Sequence, residues 1–252
     1  MQIINSPQAF QTLRKTLTDS VGFVPTMGNL HKGHASLVHK SKQENDITVL
    51  SIFINPTQFN NPEDFKNYPK TLEDDVTLAK NIGVDYLFLP NNSDIYPDDY
   101  NYKVSESKIS TLLEGKCRPG HFEGMLTVVL KLLLIVLPTR TYFGEKDYQQ
   151  YKLVQKMAEA FFLETDVIGC ETVRNENNLP LSSRNNRFTA EQFEAVQAFP
   201  KIFHANLAPA EIKQQLTQSG FEVEYVEEYE GRRFAAVKYA GIRLIDNIGE
   251  NT

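Results

Sequence analysis

The chain has 252 residues and 41% of them are hydrophobic, which is enough to bury a substantial core and fits one large domain or one domain with a small partner. Its 26 basic and 32 acidic side chains give a formal net charge of −6, so no excess of cations exists to neutralise a nucleic-acid backbone or to bind an anionic membrane. We therefore expect a small-molecule ligand, with no nucleic-acid partner and no membrane partner.

The apolar segments predict neither export nor a membrane span. Residues 1–10 lack the basic start and the continuous apolar run of a secretory signal, which favours a cytoplasmic location. The longest apolar stretch, residues 128–137, is interrupted by Lys131 and falls well short of the roughly 18 residues of a membrane span. We expect it to form a buried helix.

Strands and helices alternate along the first two thirds of the chain. Short apolar runs rich in β-branched residues indicate strands, and apolar positions at a 3.6-residue period indicate helices, one of them capped by Thr71. The predicted strands are 21–24, 47–54, 84–89, 141–143 and 166–170, and the predicted helices are 33–45, 72–82, 110–114, 124–137 and 148–162. We therefore expect an α/β fold with a Rossmann-like, doubly wound parallel sheet, in which ligands bind beyond the carboxyl ends of the strands.

The pattern changes after about residue 173. Helices are predicted at 189–204 and 209–219, and extended runs at 221–229, 233–239 and 242–245. The pairs Glu230-Gly231 and Ala240-Gly241 separate these runs as hairpin-like turns. We expect a smaller C-terminal α+β domain with an antiparallel sheet, so the predicted domains are 1–173 and 174–252.

The sequence PTMGNLHKGH at residues 25–34 lies where the first predicted strand passes into a helix. His31 and His34 fall on one side of the opening turn, where unpaired backbone N–H groups and the helix dipole favour an anion. Gly28 and Gly33 leave room for a phosphate to approach the backbone, and imidazole adds hydrogen-bond donors. The alternative is a pair of ordinary surface histidines in a loop; no Walker-type or GxGxxG motif is present.

The sequence GEKDYQQ at residues 144–150 follows a short predicted strand and opens a helix. Lys146 is a mobile cation suited to phosphate, and Gln150 is a neutral donor and acceptor suited to a hydroxylated acid. A Glu-Lys-Asp cluster at a helix start is equally typical of solvated capping.

Two further polar segments suit ligand binding. Hydroxyls and a guanidinium in LSSRN at residues 181–185 suit a lid that closes over a polyphosphate, although a plain Ser-rich linker is the alternative. Asn55, Gln58 and Tyr68 follow the second predicted strand and offer an uncharged, amide-rich pocket for a polar organic acid, or else a simple turn.

Together these motifs resemble the pantothenate synthetase family, the pantoate–β-alanine ligases of the HxGH nucleotidyltransferase superfamily. The resemblance spans nearly the whole chain and keeps the family's motif order. It is carried by PTMGNLHKGH at 25–34, SIFINPTQF at 51–59, YPKTLEDD at 68–75, LEGKCRPGHFEG at 113–124, FGEKDYQQ at 143–150, LSSRN at 181–185 and RLIDN at 243–247.

The resemblance implies ATP-dependent condensation of (R)-pantoate with β-alanine to pantothenate, through a pantoyl-adenylate intermediate and with release of AMP and pyrophosphate. It implies Mg²⁺, a homodimer, and a division of labour in which residues 1–173 bind ATP and pantoate while residues 174–252 form a lid. The implied catalytic residues are His34 as proton donor, His31, Lys146 and Arg184.

The resemblance also assigns binding residues. Gln58 and Gln150 would bind pantoate beside Asn55 and Tyr68, with Gln58 also facing β-alanine. The implied ATP contacts are Met27, Gly28, Asn29, Leu30, His31, Lys32, Gly33, His34, Gly144, Glu145, Lys146, Asp147, Val173, Leu181, Ser182, Ser183 and Arg184. Asp74 and Asp75 would lie near the Mg²⁺, although acidic capping of a helix start explains them equally well.

The sequence departs from the family pattern in two places. Asn177-Asn178 stands where the family often has Asp-Gly, and because asparagine tolerates left-handed backbone we expect the turn to persist. The C-terminal domain looks short for the family, which leaves its count of strands and helices open.

The sequence is also compatible with two rival functions. One is another HxGH nucleotidyltransferase that makes a different adenylate or a dinucleotide, against which the amide groups of Asn55, Gln58 and Gln150 favour a hydroxy-acid. The other is a catalytically silent nucleotide-binding module, which would be expected to lack a phosphate contact. His31, His34, Lys146 and Arg184 are all present.

Overall fold

Six strands from the first two thirds of the chain form one parallel sheet. The computed structural model describes residues 1–60 and 62–249. The strands are β1 (Gln2–Ile4), β2 (Val21–Thr26), β3 (Ile47–Ile52), β4 (Tyr86–Phe88), β5 (Arg140–Gly144) and β6 (Asp166–Cys170). Their order in the sheet is β1-β4-β3-β2-β5-β6. The chain runs outward from β2 through β3 to β4 on one side and through β5 to β6 on the other, so the predicted doubly wound Rossmann-like sheet is confirmed.

Helices cover both faces of this sheet. Phe23 and Val24, neighbours on β2, belong to separate hydrophobic cores because successive side chains of a strand point to opposite faces. The helices are α1 (Pro7–Arg14), α2 (Lys32–Glu44), α3 (Pro62–Lys66), α4 (Leu72–Asn81), α5 (Asn92–Ile95), α6 (Leu113–Cys117), α7 (His121–Val136) and α8 (Tyr148–Ala160). Buried residues of α7 and α8 pack on the Phe23 face, whereas those of α2 and α4 pack on the Val24 face.

The apolar stretch around residues 128–137 is the buried helix that its sequence predicts. It forms most of α7, where Leu126, Leu133 and Val136 are almost completely buried. The helix stops at Leu137, which takes a left-handed conformation with φ 45° before Pro138. Within the described residues, no helix is both long enough and apolar enough to cross a bilayer.

The strand order reverses between β2 and β5, which are direct neighbours. The chain leaves the carboxyl end of β2 toward β3 on one side, and it leaves the carboxyl end of β5 toward β6 on the other. In open parallel sheets, ligands bind in the crevice at such a reversal. The motif at residues 25–34 therefore begins where the topology favours a ligand.

The C-terminal part has its own sheet and its own core. The strands β7 (Glu222–Tyr229), β8 (Arg232–Tyr239) and β9 (Ile242–Gly249) pair antiparallel, and the helices are α9 (Ala190–Val196), α10 (Ala198–Phe203) and α11 (Pro209–Gln218). Both residues of each predicted hairpin turn have positive φ, between 48° and 76°, as two-residue turns of this kind require. The predicted α+β arrangement is confirmed.

Some predicted elements were wrong or incomplete. The single helix expected at 189–204 is two, α9 and α10, because Pro200 has no N–H to donate to the Val196 carbonyl and the helical ladder is broken there. The strand β1 and the helix α1 were not predicted. Thr71 does precede α4, but its hydroxyl donates to Asp75 instead of accepting a bond from the helix N-terminus.

The chain divides into two compact units. Unit 1 contains Met1–Glu145 and Gln149–Cys170, and unit 2 contains the short segment Lys146–Tyr148 together with the chain from Glu171 onward. The assignment of residues 1–173 and 174–252 to separate functional domains stays a prediction.

Candidate active site

The loop after β2 makes a tight left-handed turn. Gly28 has φ 82° and Asn29 has φ 51°, and asparagine is one of the few residues other than glycine that adopts this conformation readily. A Cβ on Gly28 would lie 3.0 Å from the Asp75 Oδ2 and 3.1 Å from the Ile52 Cγ2, so close approach requires glycine as well. The turn carries the chain from β2 into α2.

The carboxylate of Asp75 holds this turn from the side of α4. It accepts hydrogen bonds from the Asn29 N–H at 2.9 Å and the Leu30 N–H at 2.7 Å, and from the Thr71 hydroxyl at 3.1 Å. Asp75 is 4% exposed, whereas the neighbouring Asp74 is exposed. A buried carboxylate with three donors is well satisfied, so Asp75 fixes the loop that precedes the histidines.

His31 and His34 cap the N-terminus of α2 reciprocally. The His31 Nδ1 accepts from the Gly33 N–H at 3.1 Å, and the His34 Nδ1 accepts from the His31 N–H at 3.3 Å. Their ring centroids are 4.2 Å apart. This is the geometry of a capping box with two imidazoles in place of the usual hydroxyl and carboxylate.

The capping fixes the tautomer of both rings. Because each Nδ1 accepts a backbone N–H, the proton of each neutral ring is on Nε2, which is therefore a donor. The start of a helix also carries the positive end of its dipole. His31 and His34 thus place two imidazole donors at a helix N-terminus that favours anions, as the sequence predicts.

A buried amide cluster, made of Asn55, Gln58, Tyr96 and Gly124, follows β3. The Asn55 Nδ2 donates to the Gln58 Oε1 at 3.0 Å and to the Gly124 carbonyl at 3.1 Å, while its Oδ1 accepts from the Tyr96 hydroxyl at 2.7 Å. The Gln58 Nε2 donates to the Met27 Sδ at 2.8 Å. The cluster therefore joins two predicted site residues to the loop after β2.

Two members of the amide cluster were not predicted. Burial raises the pKa of Tyr96 to about 12, so the phenol stays protonated and donates to Asn55. Gly124 on α7 packs directly on the backbone of Thr57, which a Cβ would strike. Neither was singled out, although Gly124 lies in the motif at residues 113–124.

His121 is a further residue that the sequence did not single out. Its Nε2 lies 3.1 Å from Arg118 Nη1, and its Nδ1 lies 2.8 Å from the Gln58 carbonyl oxygen. Arginine only donates, so Nε2 accepts and Nδ1 carries the proton that is donated to Gln58. His121 therefore fixes the backbone of Gln58, while Asn55 fixes its side chain.

The other two predicted substrate residues of unit 1, Tyr68 and Gln150, lie outside the amide cluster. The ring of Tyr68 packs edge-on against Phe59, with centroids 5.5 Å apart. Gln150 is half-buried on α8 and makes no side-chain hydrogen bond to the described residues. Its amide group can therefore accept a new partner without giving one up.

The last residue of β5 and the turn after it contain four of the predicted ATP contacts, at residues 144–147. At Gly144 a Cβ would meet no described heavy atom within 4 Å, and the following residues 145–147 form one 3₁₀ turn. The Lys146 ammonium lies 3.4 Å from the exposed Asp147 carboxylate. A surface ion pair of this kind contributes little stability, so the position of the Lys146 side chain is set mainly by the backbone of the turn.

The predicted phosphate contacts of the LSSRN motif lie within unit 2. The Leu181 N–H donates to the Val173 carbonyl at 2.9 Å, and the Ser182 hydroxyl accepts from the Arg184 N–H at 3.2 Å at the start of a 3₁₀ turn, Ser183–Arg187. Asn178 has φ 64°. The expected left-handed turn at Asn177-Asn178 is therefore present.

The structure thus groups the predicted residues in two sets. In unit 1 the turn at Gly28, the histidine cap and the amide cluster are joined through Asp75 and Met27. Unit 2 contains Lys146, Asp147, Val173, Leu181, Ser182, Ser183 and Arg184. Within the described ranges, no three His, Cys, Asp or Glu side chains are grouped to hold a metal ion.

Comparison with known proteins decides the family. A family model described as pantoate-beta-alanine ligase matches residues 2–249. The chain belongs to the pantoate-beta-alanine ligase family.

Relatives in this family match over nearly their full length. A pantothenate synthetase of Coxiella burnetii is 58% identical over 248 residues, which are 98% of this chain and 96% of the relative. A pantothenate synthetase of Legionella pneumophila is 53% identical over 249 residues, which are 98% of this chain and 99% of the relative. This chain and these relatives therefore have nearly the same length, and the C-terminal domain is not short in comparison with theirs.

Solved ligase structures have the same fold. A pantoate-beta-alanine ligase from Francisella tularensis, complexed with beta-gamma ATP and beta-alanine, has a TM-score of 0.96 at 42% identity and covers 100% of this chain and 98% of its own. A pantothenate synthetase from Thermus thermophilus has a TM-score of 0.85 at 35% identity, with 99% of both chains covered.

Proposed function

We propose that this chain catalyses the ATP-dependent ligation of pantoate to β-alanine through a pantoyl-adenylate. The observation that carries the proposal is the histidine-capped N-terminus of α2, which follows β2 at the reversal of strand order. Membership of the pantoate-beta-alanine ligase family supports it, and so does the ligand set of the Francisella tularensis relative.

The chemistry requires activation of a poor acyl donor. A carboxylate oxygen of pantoate attacks the α-phosphorus of ATP, the bond from that phosphorus to the bridging oxygen breaks, and pyrophosphate leaves. The amine nitrogen of β-alanine then attacks the acyl carbon, the bond from that carbon to the phosphate oxygen breaks, AMP leaves, and the nitrogen loses a proton. Preorganised donors aimed at the phosphate oxygens suit the first step.

The unit 1 residues fit these roles. His31 and His34 would donate from Nε2 to phosphate oxygens, with His34 as the proton donor. Gln58 and Gln150 would bind pantoate, with Gln58 also facing β-alanine. A sulfur is a weak acceptor, so the Gln58 Nε2 can exchange Met27 for a substrate oxygen at little cost. Asn55 holds the other end of that amide group, and Tyr68 completes the set.

The unit 2 residues supply charge and hydroxyl groups. Lys146 and Arg184 would offset the negative charge that develops at the α-phosphate, and Ser182 and Ser183 would contact phosphate oxygens. The segment from residue 174 onward would act as a lid. These assignments rest on the family resemblance at each position.

Mg²⁺ is proposed as the metal that accompanies ATP. Both oxygens of Asp75 already accept backbone N–H groups, so this carboxylate fits a structural role better than a metal-ligand role. The exposed Asp74 is a better candidate for an outer contact. Nucleotide oxygens and water would supply most ligands, as is usual for this hard cation.

A cytoplasmic homodimer is the proposed state in the cell. The support is the family resemblance. Light scattering coupled to gel filtration measures the mass directly, with 28.7 kDa expected for one chain and twice that for the dimer.

Product analysis tests the proposed function. The purified protein is incubated with ATP, Mg²⁺ and pantoate, with and without β-alanine, and AMP, pyrophosphate and pantothenate are measured. We expect AMP and pantothenate in equal amounts only when both substrates are present. ATP binding without turnover would favour the silent module, and AMP formed with another acid would favour a different adenylate.

The His34 variant tests the proposed mechanism. His34→Ala removes a donor to the phosphate, so the adenylation rate should fall by about 10²- to 10³-fold. The control is His39→Ala, because His39 is exposed on the same helix. Pantoate-dependent exchange of pyrophosphate into ATP measures the step, and wild-type exchange in His34→Ala would remove His34 from the mechanism.

A further inference from the structure

Asn247 lies on β9 and is only 4% exposed. Its Nδ2 donates to the backbone carbonyl of Lys146 at 2.9 Å, across 101 residues of sequence. Its Oδ1 accepts from Arg232 Nη1 at 2.6 Å. Both ends of this buried amide group are therefore used, one of them on the 3₁₀ turn that contains the proposed catalytic lysine.

A second contact holds Tyr148, the residue that directly follows this turn and begins α8. The Arg232 guanidinium carbon lies 4.0 Å from the centroid of the Tyr148 ring, and the ring of Phe234 lies 6.1 Å from it. Stacking of a guanidinium on an aromatic face is attractive and directional. Lys146 and Tyr148 are thus fixed by neighbouring residues of β8 and β9, and all of these residues belong to unit 2.

Asn247 is itself held by a buried ion cluster. The carboxylate of Asp246, with a side chain that is 0% exposed, accepts two bonds from Arg174, at 2.8 Å and 2.7 Å, and one contact from His204 Nε2 at 2.9 Å. It also accepts the Asn247 N–H at 2.8 Å. A bidentate pair of this kind is strong and geometrically specific, so the backbone at Asn247 has little freedom.

The cluster also reaches the chain that leads to the LSSRN motif. Arg174 donates to the Asn178 carbonyl at 2.9 Å, which closes the left-handed turn of Asn178. Arg174 and Pro180 then form an isolated antiparallel bridge, directly before Leu181. The segments that contain Lys146 and Arg184 therefore share one buried support.

We propose that Asn247 is a positioning residue for Lys146. Arg232 holds the side-chain oxygen of Asn247, and the Arg174–Asp246 ion pair holds its backbone N–H. The inference rests on the proposed function, because it assigns Asn247 a role through Lys146. Among the described residues, the Lys146 ammonium has only a long contact to the exposed Asp147 beside it. The position of the ammonium therefore depends on the Lys146 backbone, which the bond from Asn247 fixes. A displacement of about 1 Å at a reacting group costs on the order of 10²-fold in rate.

Asn247→Asp is the sharpest test. The carboxylate keeps the shape and the bond from Arg232, but it cannot donate to the Lys146 carbonyl. We expect kcat for pantoate-dependent pyrophosphate exchange to fall by about 10- to 100-fold while the KM for pantoate changes by less than about twofold. Arg232→Gln, at a partly exposed site, should lower kcat in the same direction by a smaller factor.

Arg233→Gln is the matched control. Arg233 is the next residue on β8 and donates to the carbonyls of Ala205 and Leu207, so its loss removes several bonds of unit 2 without touching the Lys146 turn. We expect its kcat to stay within about threefold of wild type. An equal loss of kcat in Arg233→Gln and Asn247→Asp would overturn the proposal.

A double-mutant cycle separates positioning from general stability. In a Lys146→Ala background, Asn247→Asp should change kcat by less than about twofold, because the group that it positions is gone. If Asn247→Asp lowered kcat by the same factor in both backgrounds, Asn247 would not act through Lys146. Wild-type kcat in the single variant would also overturn the inference.

Hydrogen exchange gives a readout that does not depend on activity. The backbone amides of residues 146–148 should exchange faster in Asn247→Asp than in wild type or Arg233→Gln. Unchanged exchange there would contradict the positioning role whatever the reaction is. If wild type lacks pantoate-dependent turnover but Asn247→Asp still raises this exchange, the proposed function fails while the structural anchor stands.

Discussion

The carboxylate of Asp75 links a helix start to a loop that the sequence places 46 residues away. Its two oxygens accept consecutive amides of a turn that has two left-handed residues, a conformation that needs support when one of them is not glycine. The same residue also belongs to the first turn of α4, where acidic side chains are favourable. Its sequence context therefore explains its charge but not its partners.

Replacing Asp75 distinguishes support of the loop from metal binding. Asp75→Asn leaves one acceptor and turns an NH₂ group toward a backbone N–H, so we expect the free energy of unfolding to fall by about 1–3 kcal/mol. Urea denaturation measures this change, and Asp74→Asn at the exposed neighbouring position should change it by less than about 0.5 kcal/mol.

Magnesium titration of the same two variants gives the other half of the test. If Asp75 only supports the loop, the Mg²⁺ concentration for half-maximal activity should be unchanged in Asp75→Asn. A several-fold rise in that concentration, with unfolding like wild type, would instead support the metal role.

The residues that fix the site were the least predictable part of the sequence. The position of the two histidines in the opening turn of α2 could be predicted, because a strand end followed by a helix start is a local pattern. Asp75 was expected near the Mg²⁺, but the contacts that it, His121 and Asn247 make could not be predicted, since their partners are 46, 63 and 101 residues away and the contacts depend on tertiary folding.

At the scale of elements, predictability followed the strength of the local pattern. The buried β-branched run of β3 and the positions of the two hairpin turns were predicted correctly from a few residues each. The three-residue strand β1 has no comparable pattern and is recognised only by its pairing with β4. One proline was enough to divide a helix that periodicity predicted as continuous.

The bulge in β7 gives an element-level prediction with a pH dependence. Pairing shifts between Val223 and Tyr225, which leaves Glu224 as an extra residue whose carboxylate contacts Lys238 at 3.1 Å and Arg243 at 2.8 Å. Burial raises the pKa of Glu224, but the bonds and charges of Arg243 and Lys238 outweigh it and the pKa lies below its ordinary value of 4.5.

A lowered pKa in the folded state means that the ionised Glu224 stabilises the fold above pH 4.5 and loses this effect as the pH falls through the lowered value. Glu224→Gln should therefore be less stable than wild type at pH 7, by about 1 kcal/mol or less. Denaturation at several pH values should show the two proteins converging below pH 4.5. Glu222→Gln, exposed on the same strand, is the control, and a gap that persists in acid would contradict the ion-pair explanation.

At the scale of the whole molecule, the proposed chemistry draws on both units. The histidine cap and the amide cluster lie in unit 1, and Lys146 and Arg184 lie in unit 2. Each unit has its own hydrophobic core: the parallel sheet is packed on both faces, and the antiparallel sheet is packed against α9, α10 and α11. Separate cores predict that one unit can unfold while the apolar side chains of the other stay buried.

Phe199→Ala tests whether the units are separately stable. Phe199 is fully buried in the core of unit 2 and stacks on Phe203 with centroids 5.7 Å apart, so its loss should cost about 3–5 kcal/mol. We expect faster hydrogen exchange across β7–β9 and α9–α11, with the amides of β2 and β3 protected as in wild type. Phe162→Ala, at a side chain that is 91% exposed, should change neither set. Equal loss of protection in both units would mean that the chain unfolds as one cooperative structure and that the two units are not separately stable.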